Sequence, residues 1–310
     1  MDYSDSKISV ENYENTENTQ APFRLYFYQK QTDTMNKRIW FITGISSGLG
    51  KALAETLIQS DEFVIGTFRK DSEVENFNTV HQDKARGVLL DVTDMENIDA
   101  MIQEVVSEFG QIDVLVNNAG IGYSGAVEEA SLGDVRKVFE ANFFGTLKMT
   151  QAVLPHMRSK KNGHIIQISS HAGVKAFAGF GIYNASKFAL EGFSEALAQE
   201  VKPLGIGLTL VEPGPFRTNF AGRSLMRAKK QIEDYQDTAG NFRAKLDGVH
   251  NKQEGDPIKA AKIILQHINS GSDTLRLPLG TIPIKTIGMK IESLQSDLES
   301  NKDLAIKAVY

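Results

Sequence analysis

From Arg38 onward, short apolar runs rich in branched residues alternate with longer amphipathic segments, and this alternation limits the folds open to the chain. The runs RIWFIT, EFVIGTF, GVLLDV, IDVLVNN, GHIIQIS and GIGLTLVEPG are each bounded by turn-forming residues, as strands are. Residues 49–60, 95–109, 132–157 and 183–202 lie between them and read as helices. Strands that are apolar along their length, rather than at every second position, belong to a parallel sheet covered on both faces. Right-handed crossovers then wind the chain doubly, giving a three-layered α/β fold in a single domain. A last helix and strand are expected at residues 257–266 and 274–278. Before them, residues 219–255 are polar and rich in Lys, Arg and Gln, which predicts a mobile substrate lid within the same domain.

Composition enters by exclusion. Hydrophobic residues make up 41% of the 310, enough for a sizeable core. A net charge of −5 offers no basic field to nucleic acid or an anionic membrane. Without cysteines the chain has no disulfide, thiolate metal site or cysteine nucleophile. Its histidines show no metal-ligand spacing such as H-E-x-x-H, so no metal is expected. No apolar run reaches the roughly 18 residues needed to span a bilayer, and no signal peptide is seen, so a cytoplasmic protein is expected. Residues 1–34 start with a polar, acidic stretch that cannot offset its ordering entropy. They are expected to form a disordered extension ahead of a domain spanning residues 35–310, which begins at Met35.

Directly after the first strand the chain reads TGISSGLGKALAE. Gly44, Gly48 and Gly50 fall between strand and helix, where a tight turn and close approach of a ligand both favour a residue without Cβ. The helix that follows offers unpaired N–H groups and its positive end to a pyrophosphate. Such a turn is either a structural junction or a phosphate cradle. Its place in the alternation favours a dinucleotide site made by Gly44, Ser46, Ser47, Gly48, Leu49 and Gly50. At the end of the second strand stand Arg69 and Lys70, where an NAD site carries an acidic residue. They are either a solvated basic turn or the partner of a 2′-phosphate, which a guanidinium meets with two parallel hydrogen bonds. NADP(H) is therefore the expected cofactor.

Further on, FGIYNASKFALEGF places Tyr183 and Lys187 four apart, on one helical face. On an amphipathic helix such a pair serves packing as readily as chemistry. The surrounding motifs decide between the two. TGISSGLG, DVTD, NNAG, NFFG, ISS, YNASK and PGPFRT follow one another between Arg38 and Thr218, and in that order they resemble the short-chain dehydrogenase/reductases, in the branch with TGxxxGxG and YxxxK.

The resemblance implies a Rossmann-like fold and an NADP-dependent carbonyl reductase or alcohol dehydrogenase with the tetrad Asn142, Ser170, Tyr183 and Lys187. Tyr183 would be the acid in reduction and the base in oxidation, its pKa of about 10 lowered by the Lys187 ammonium. Ser170 would hold the substrate oxygen, and Asn142 would position a water linking Lys187 to solvent. Asp91 and Val92 would border the adenine, Asn117 would lie along the cofactor, and Phe216 and Thr218 would contact its nicotinamide end. His171 is expected to be a packing or rim residue. Phe143, Phe144, Phe177, Phe180, Phe216 and Phe220 crowd the same region of the sequence; most are expected in the core, and two or more at the pocket would favour an apolar or aromatic small-molecule substrate. Helices 132–157 and 183–202 pair subunits in many relatives, which implies a homodimer or homotetramer. A non-catalytic cofactor sensor on this fold would have lost part of the tetrad, which is complete here. A nucleotide-sugar dehydratase or epimerase usually carries a larger C-terminal domain.

Overall fold

Each branched run forms a strand, and the strands at the centre are buried from end to end. The computed structural model describes residues 37–222, 224–248 and 252–310; the expected N-terminal extension and Met35 lie outside the described residues. β1 (Ile39–Ile42), β2 (Phe63–Phe68) and β4 (Val114–Asn117) have no exposed position. With β3 (Ala85–Leu89), β6 (Gly163–Ile168), β7 (Ile206–Pro213) and β9 (Arg276–Leu279) they make a parallel sheet ordered β3-β2-β1-β4-β6-β7-β9. This is a doubly wound, Rossmann-like α/β fold. The strand order reverses at β1, and ligands of such sheets bind beyond the carboxyl ends of the strands at that point.

Side chains alternate across the sheet and so supply two cores. Phe41, Ile65, Leu115 and Ile165 face Ile98 and Ile102 of α3 (Met95–Phe109) and Met149 and Val153 of α5 (Gly145–Lys160). Trp40, Ile42, Val64 and Val116 face Leu53 and Leu57 of α1 (Gly48–Gln59) and Ile264 of α8 (Pro257–Asn269).

Four features depart from the sequence reading. α2 (Asp71–His81) was not expected; it buries only Phe77 and so lacks the apolar stripe that betrays a helix. The segment expected as one helix over residues 132–157 is α4 (Leu132–Phe139) and α5 joined by a π turn, Glu140–Phe144, in which Asn142 is fully buried. Within the segment expected as a lid lie two elements that the sequence reading does not give: β8 (Leu225–Arg227), which pairs in parallel with β5 (Gly122–Ser124), and α7 (Asn241–Gly248). After β9 comes α9 (Thr281–Ala305), a helix of 25 residues absent from the sequence reading. α6 (Gly181–Val201) lies close to its expected place. Among the described residues no helix is long and apolar enough to cross a membrane.

A buried ion pair holds the β8–α7 segment to the rest of the domain. The Glu129 carboxylate accepts the N–H of Ala126 at 2.8 Å and of Ile232 at 2.9 Å, and Arg243 Nη1 donates to it from α7. Burial opposes ionisation of Glu129, but these donors outweigh it and hold its pKa below the usual carboxylate range. A lowered pKa contributes stability that is whole above the unfolded value and is lost as pH falls through the folded one. Arg243→Ala is expected to cost about 3 kcal/mol, as breaking a buried pair does, and to open residues 225–248 to limited proteolysis while the sheet stays folded. Wild type should show the same opening only in acid.

Candidate active site

The glycine turn after β1 is shaped by its missing side chains. Gly44 and Gly48 have φ of 71° and 66°, in the left-handed region. Gly50 has no room for a Cβ, which would stand 2.3 Å from Nδ2 of Asn118 and 2.6 Å from the main-chain oxygen of Gly44. α1 starts with no side-chain cap and no acidic residue in its first turn. Its N–H groups and positive end are thus open to an anion.

Neighbouring strand ends pin this turn. Gly44 N–H donates to Thr67 Oγ1 at 2.9 Å, near the end of β2. Asn118 Nδ2 donates to the main-chain oxygens of Thr43 and Gly44, each at 2.9 Å. Thr43 Oγ1 in turn accepts from the N–H groups of Asn118 and Ala119. Ser46 and Ser47 are exposed in the turn, and Leu49 packs on the core layer beneath α1. A cradle of glycines, a bare helix end and a rigid frame suits a pyrophosphate.

Asn117, expected along the cofactor, ends β4 with its side chain turned into the fold. The side chain of Asn117 is buried, and its Nδ2 donates to Thr150 Oγ1 and Gln167 Oε1, each at 3.0 Å. The side chain of its neighbour Asn118 reaches the glycine turn. Successive residues of a strand point to opposite faces, and the NNAG motif alone does not say which of the two faces the turn.

The other expected cofactor contacts line the same edge. Arg69 follows β2 directly, is exposed, and makes no hydrogen bond or ion pair among the described residues. Lys70 lies 4.0 Å from Glu73. Asp91 closes a turn by accepting from the N–H and hydroxyl of Thr93, and Val92 is buried beside it. Thr218 stands across from Gly48, whose Cβ would lie 3.5 Å from that of Thr218. Phe216 packs into the core layer beneath α1 and bridges to Gly255.

α6 brings Tyr183 and Lys187 to the end of β6. Both are buried, at 6% and 5% exposure. Lys187 Nζ donates to the main-chain oxygen of Ile168, the last residue of β6, at 2.8 Å. The Ser170 hydroxyl lies near enough to the Tyr183 phenol to favour its ionised form, while Ser170 Oγ itself accepts from Ala172 N–H at 3.1 Å. Ser169 faces the other way: a Cβ on Gly173 would touch both its Oγ and the Glu191 side chain. Ser170 is therefore the serine that shares the space of Tyr183.

Asn142 joins this group through its side-chain amide. Its Oδ1 accepts from Ile121 N–H at 2.8 Å, and its Nδ2 donates to Ile121 O at 2.8 Å and to Ser186 Oγ at 3.0 Å. Both amide hydrogens are committed, so the side chain fastens the chain at Ile121 to α6. A Cβ on Gly120 would lie 3.0 Å from Asn142 Oδ1 and 3.8 Å from Lys187 Nζ, which puts the amide close to the lysine.

Burial dominates the ionisation of the pair. It pushes Tyr183 up to about 12, against a lowering by the Ser170 hydroxyl. It pulls Lys187 down to about 8, partly offset by the Glu191 carboxylate one turn further along α6. The direction for the phenol is upward, against the expected drop, because desolvation of phenolate is the larger effect and the Ser170 hydroxyl the smaller. At neutral pH the phenol keeps its proton and most of the ammonium keeps its charge.

Aromatic rings wall this group. Phe180 and Phe220 lie 4.9 and 5.5 Å from the Tyr183 ring, and Phe242 lies 4.8 Å from Phe180. Phe177 and Leu225 belong to the same cluster. Phe143 instead packs on Phe144 and Phe193. Phe242 went unnoticed in the sequence because it sits among the polar residues of the expected lid. His171 is a packing residue: its ring lies 5.1 Å from Phe177, its Nδ1 meets Thr286 Oγ1 of α9 at 3.1 Å, and burial lowers its pKa to about 4.

Known proteins resemble this chain in sequence and in fold. The sequence profile of the family described as short chain dehydrogenase matches residues 38–228. Oxidoreductase BOA17 of Botryotinia fuckeliana is 37% identical over 270 residues, covering 87% of this chain and 98% of its own. The 3-ketodihydrosphingosine reductase of Bacteroides thetaiotaomicron is 44% identical over 205 residues, covering 66% and 74%. The crystal structure of a short-chain dehydrogenase from Streptomyces avermitilis superposes with a TM-score of 0.82 at 36% identity, covering 88% of this chain and 99% of that one.

The ionisation order is open to measurement. The ultraviolet phenolate signal of Tyr183, taken as the difference between wild type and Tyr183→Phe, is expected to be absent at neutral pH and to rise only as pH approaches about 12. A phenolate signal at pH 7 in the protein alone would contradict a phenol that keeps its proton.

Proposed function

The chain belongs to the short-chain dehydrogenase family, and on that premise we propose that it is an NADP(H)-dependent oxidoreductase, working in the cytoplasm on an apolar ketone or aldehyde or the matching alcohol. One observation carries the proposal: a buried Tyr183 beside Ser170, four residues from Lys187 and ringed by aromatic side chains. A sensor without chemistry has no need of this proton donor.

NADP(H), when bound, supplies or accepts the hydride. The residues present fit it. Gly44, Ser46, Ser47, Gly48, Leu49 and Gly50 with the start of α1 would hold the pyrophosphate, and Arg69, which has no other described partner, would meet the 2′-phosphate. Asp91 and Val92 would border the adenine, and Phe216 and Thr218 the nicotinamide end. Residues 219–255 would cover the substrate as part of one catalytic domain.

In reduction the substrate oxygen lies between the hydroxyls of Ser170 and Tyr183. As hydride reaches the carbonyl carbon, Ser170 stabilises the charge growing on oxygen and Tyr183 gives its proton to that oxygen. The phenolate left behind is stabilised by the Lys187 ammonium. Asn142 keeps α6 and the chain at Ile121 in place around this pair. Oxidation runs the same transfers backwards. Phe177, Phe180, Phe220 and Phe242 favour a substrate with an apolar body. The relative called 3-ketodihydrosphingosine reductase is named for a keto compound.

A panel of ketones, aldehydes and alcohols followed at 340 nm with both cofactors tests the proposal. Tyr183→Phe is expected to lower turnover by at least ~10²-fold while NADPH still binds; a variant as fast as wild type would remove Tyr183 from the chemistry. Arg69→Asp is expected to shift the ratio of dissociation constants toward NADH by at least about tenfold, since a charge-assisted contact is lost. A wild type that already prefers NADH would make Arg69 a solvated turn residue.

A further inference from the structure

α9 carries its apolar residues in a pattern that its own domain does not use. Ile284, Ile287, Ile291, Leu294 and Leu298 recur at alternating spacings of three and four, and Asn301 and Ala305 continue the series. This is a seam with a seven-residue period. Pro283 is the only buried residue of the helix. Thr286 meets His171, but from Ile291 onward every residue of the helix is exposed. Ile291, Leu294 and Leu298 are 59%, 53% and 68% exposed. The free stretch, residues 291–305, is at the length where an isolated helix is marginal in water, so a helix here calls for a cover.

Width and charge identify the cover. A helix that packs on a globular core carries a broad apolar stripe, whereas a seam of two positions in seven is the pattern of a two-stranded coil. Ile291 followed by Leu294 is the order that favours two strands. Lysines 285, 290 and 302 intermix with Glu292, Asp297, Glu299 and Asp303, so no basic face is offered to an anionic membrane. The flanks of the seam are also complementary to themselves. In a parallel pair, Asp297 of one copy faces Lys302 of the other. Within its own chain Lys302 has an exposed contact with Glu299 at 3.9 Å.

We propose that α9 pairs with α9 of a second copy of this chain, in a parallel two-stranded coil along the seam from Ile284 to Ala305. The surface is distinct from helices α4–α6, through which relatives are expected to associate.

Because the chain has no cysteine, one introduced thiol in the full chain reports the pairing. Asn301→Cys sits on the seam and faces its own copy, while Ser296→Cys sits on the opposite side of the helix. Under mild oxidation Asn301→Cys is expected to form the disulfide-linked dimer at least about tenfold faster, because pairing raises the effective concentration of its thiol. Adding Leu294→Asp and Leu298→Asp, both at exposed positions, should remove that advantage while the main sheet stays folded. Equal cross-linking at the two positions, or an advantage that survives the aspartates, would overturn the proposal. So would flotation of the chain with phosphatidylcholine–phosphatidylserine vesicles, abolished by Leu294→Asp, without preferential cross-linking at Asn301→Cys.

Discussion

A single buried ammonium ties the site together. Lys187 donates to the oxygen of Ile168, and this bond joins the helix that carries Tyr183 to the strand end that carries Ser170. Burying a charge is costly unless it is paired, and the compensation comes from behind the site. Glu191, one turn beyond Lys187, favours the charged lysine and is itself held by Arg276, which reaches from β9 to Glu191, Glu195 and Glu212. Burial pushes Glu212 up to about 7. One arginine thus gathers carboxylates from α6 and β7 and backs the lysine with negative charge.

The parallel sheet makes this convergence possible. Every strand of the main sheet ends at the same edge, so polar groups far apart in sequence meet there without burying unpaired backbone. Thr43 follows β1, Thr67 lies near the end of β2, Asn118 follows β4, and Ser170 comes just after β6; each is held by hydrogen bonds to a neighbouring strand or turn. The glycine turn is rigid for the same reason. Its two left-handed glycines and the close approach of Gly50 to Asn118 leave it no alternative shape.

What could be read from the sequence follows from what each segment buries. α3 lies at residues 95–109 as its pattern predicts, because Ile98, Ile102 and Val105 form a stripe on one face. α2 buries one residue and α9 turns its apolar seam outward, so neither announces itself by facing a core. Motifs pointed to Tyr183, Lys187, Ser170 and the glycines, and the fold brings them to one edge of the sheet. Motifs do not encode orientation: of the two asparagines of NNAG, the side chain of Asn117 turns into the fold and that of Asn118 to the glycine turn. Nor do they encode burial. The ordinary pKa of a phenol beside a lysine led to a lowered value, whereas the enclosing aromatic cluster raises it.

Hydride transfer coupled to the Tyr183 proton is the property on which the proposed chemistry rests. Isotope transfer measures it most directly: NADPH carrying deuterium at the reactive nicotinamide carbon is incubated with an apolar ketone, and the alcohol is examined by mass spectrometry. One deuterium, bonded to the carbinol carbon, is expected in the product of wild type and almost none with Tyr183→Phe. NADPH that binds at the glycine turn yet passes no deuterium to any ketone or aldehyde would contradict that chemistry.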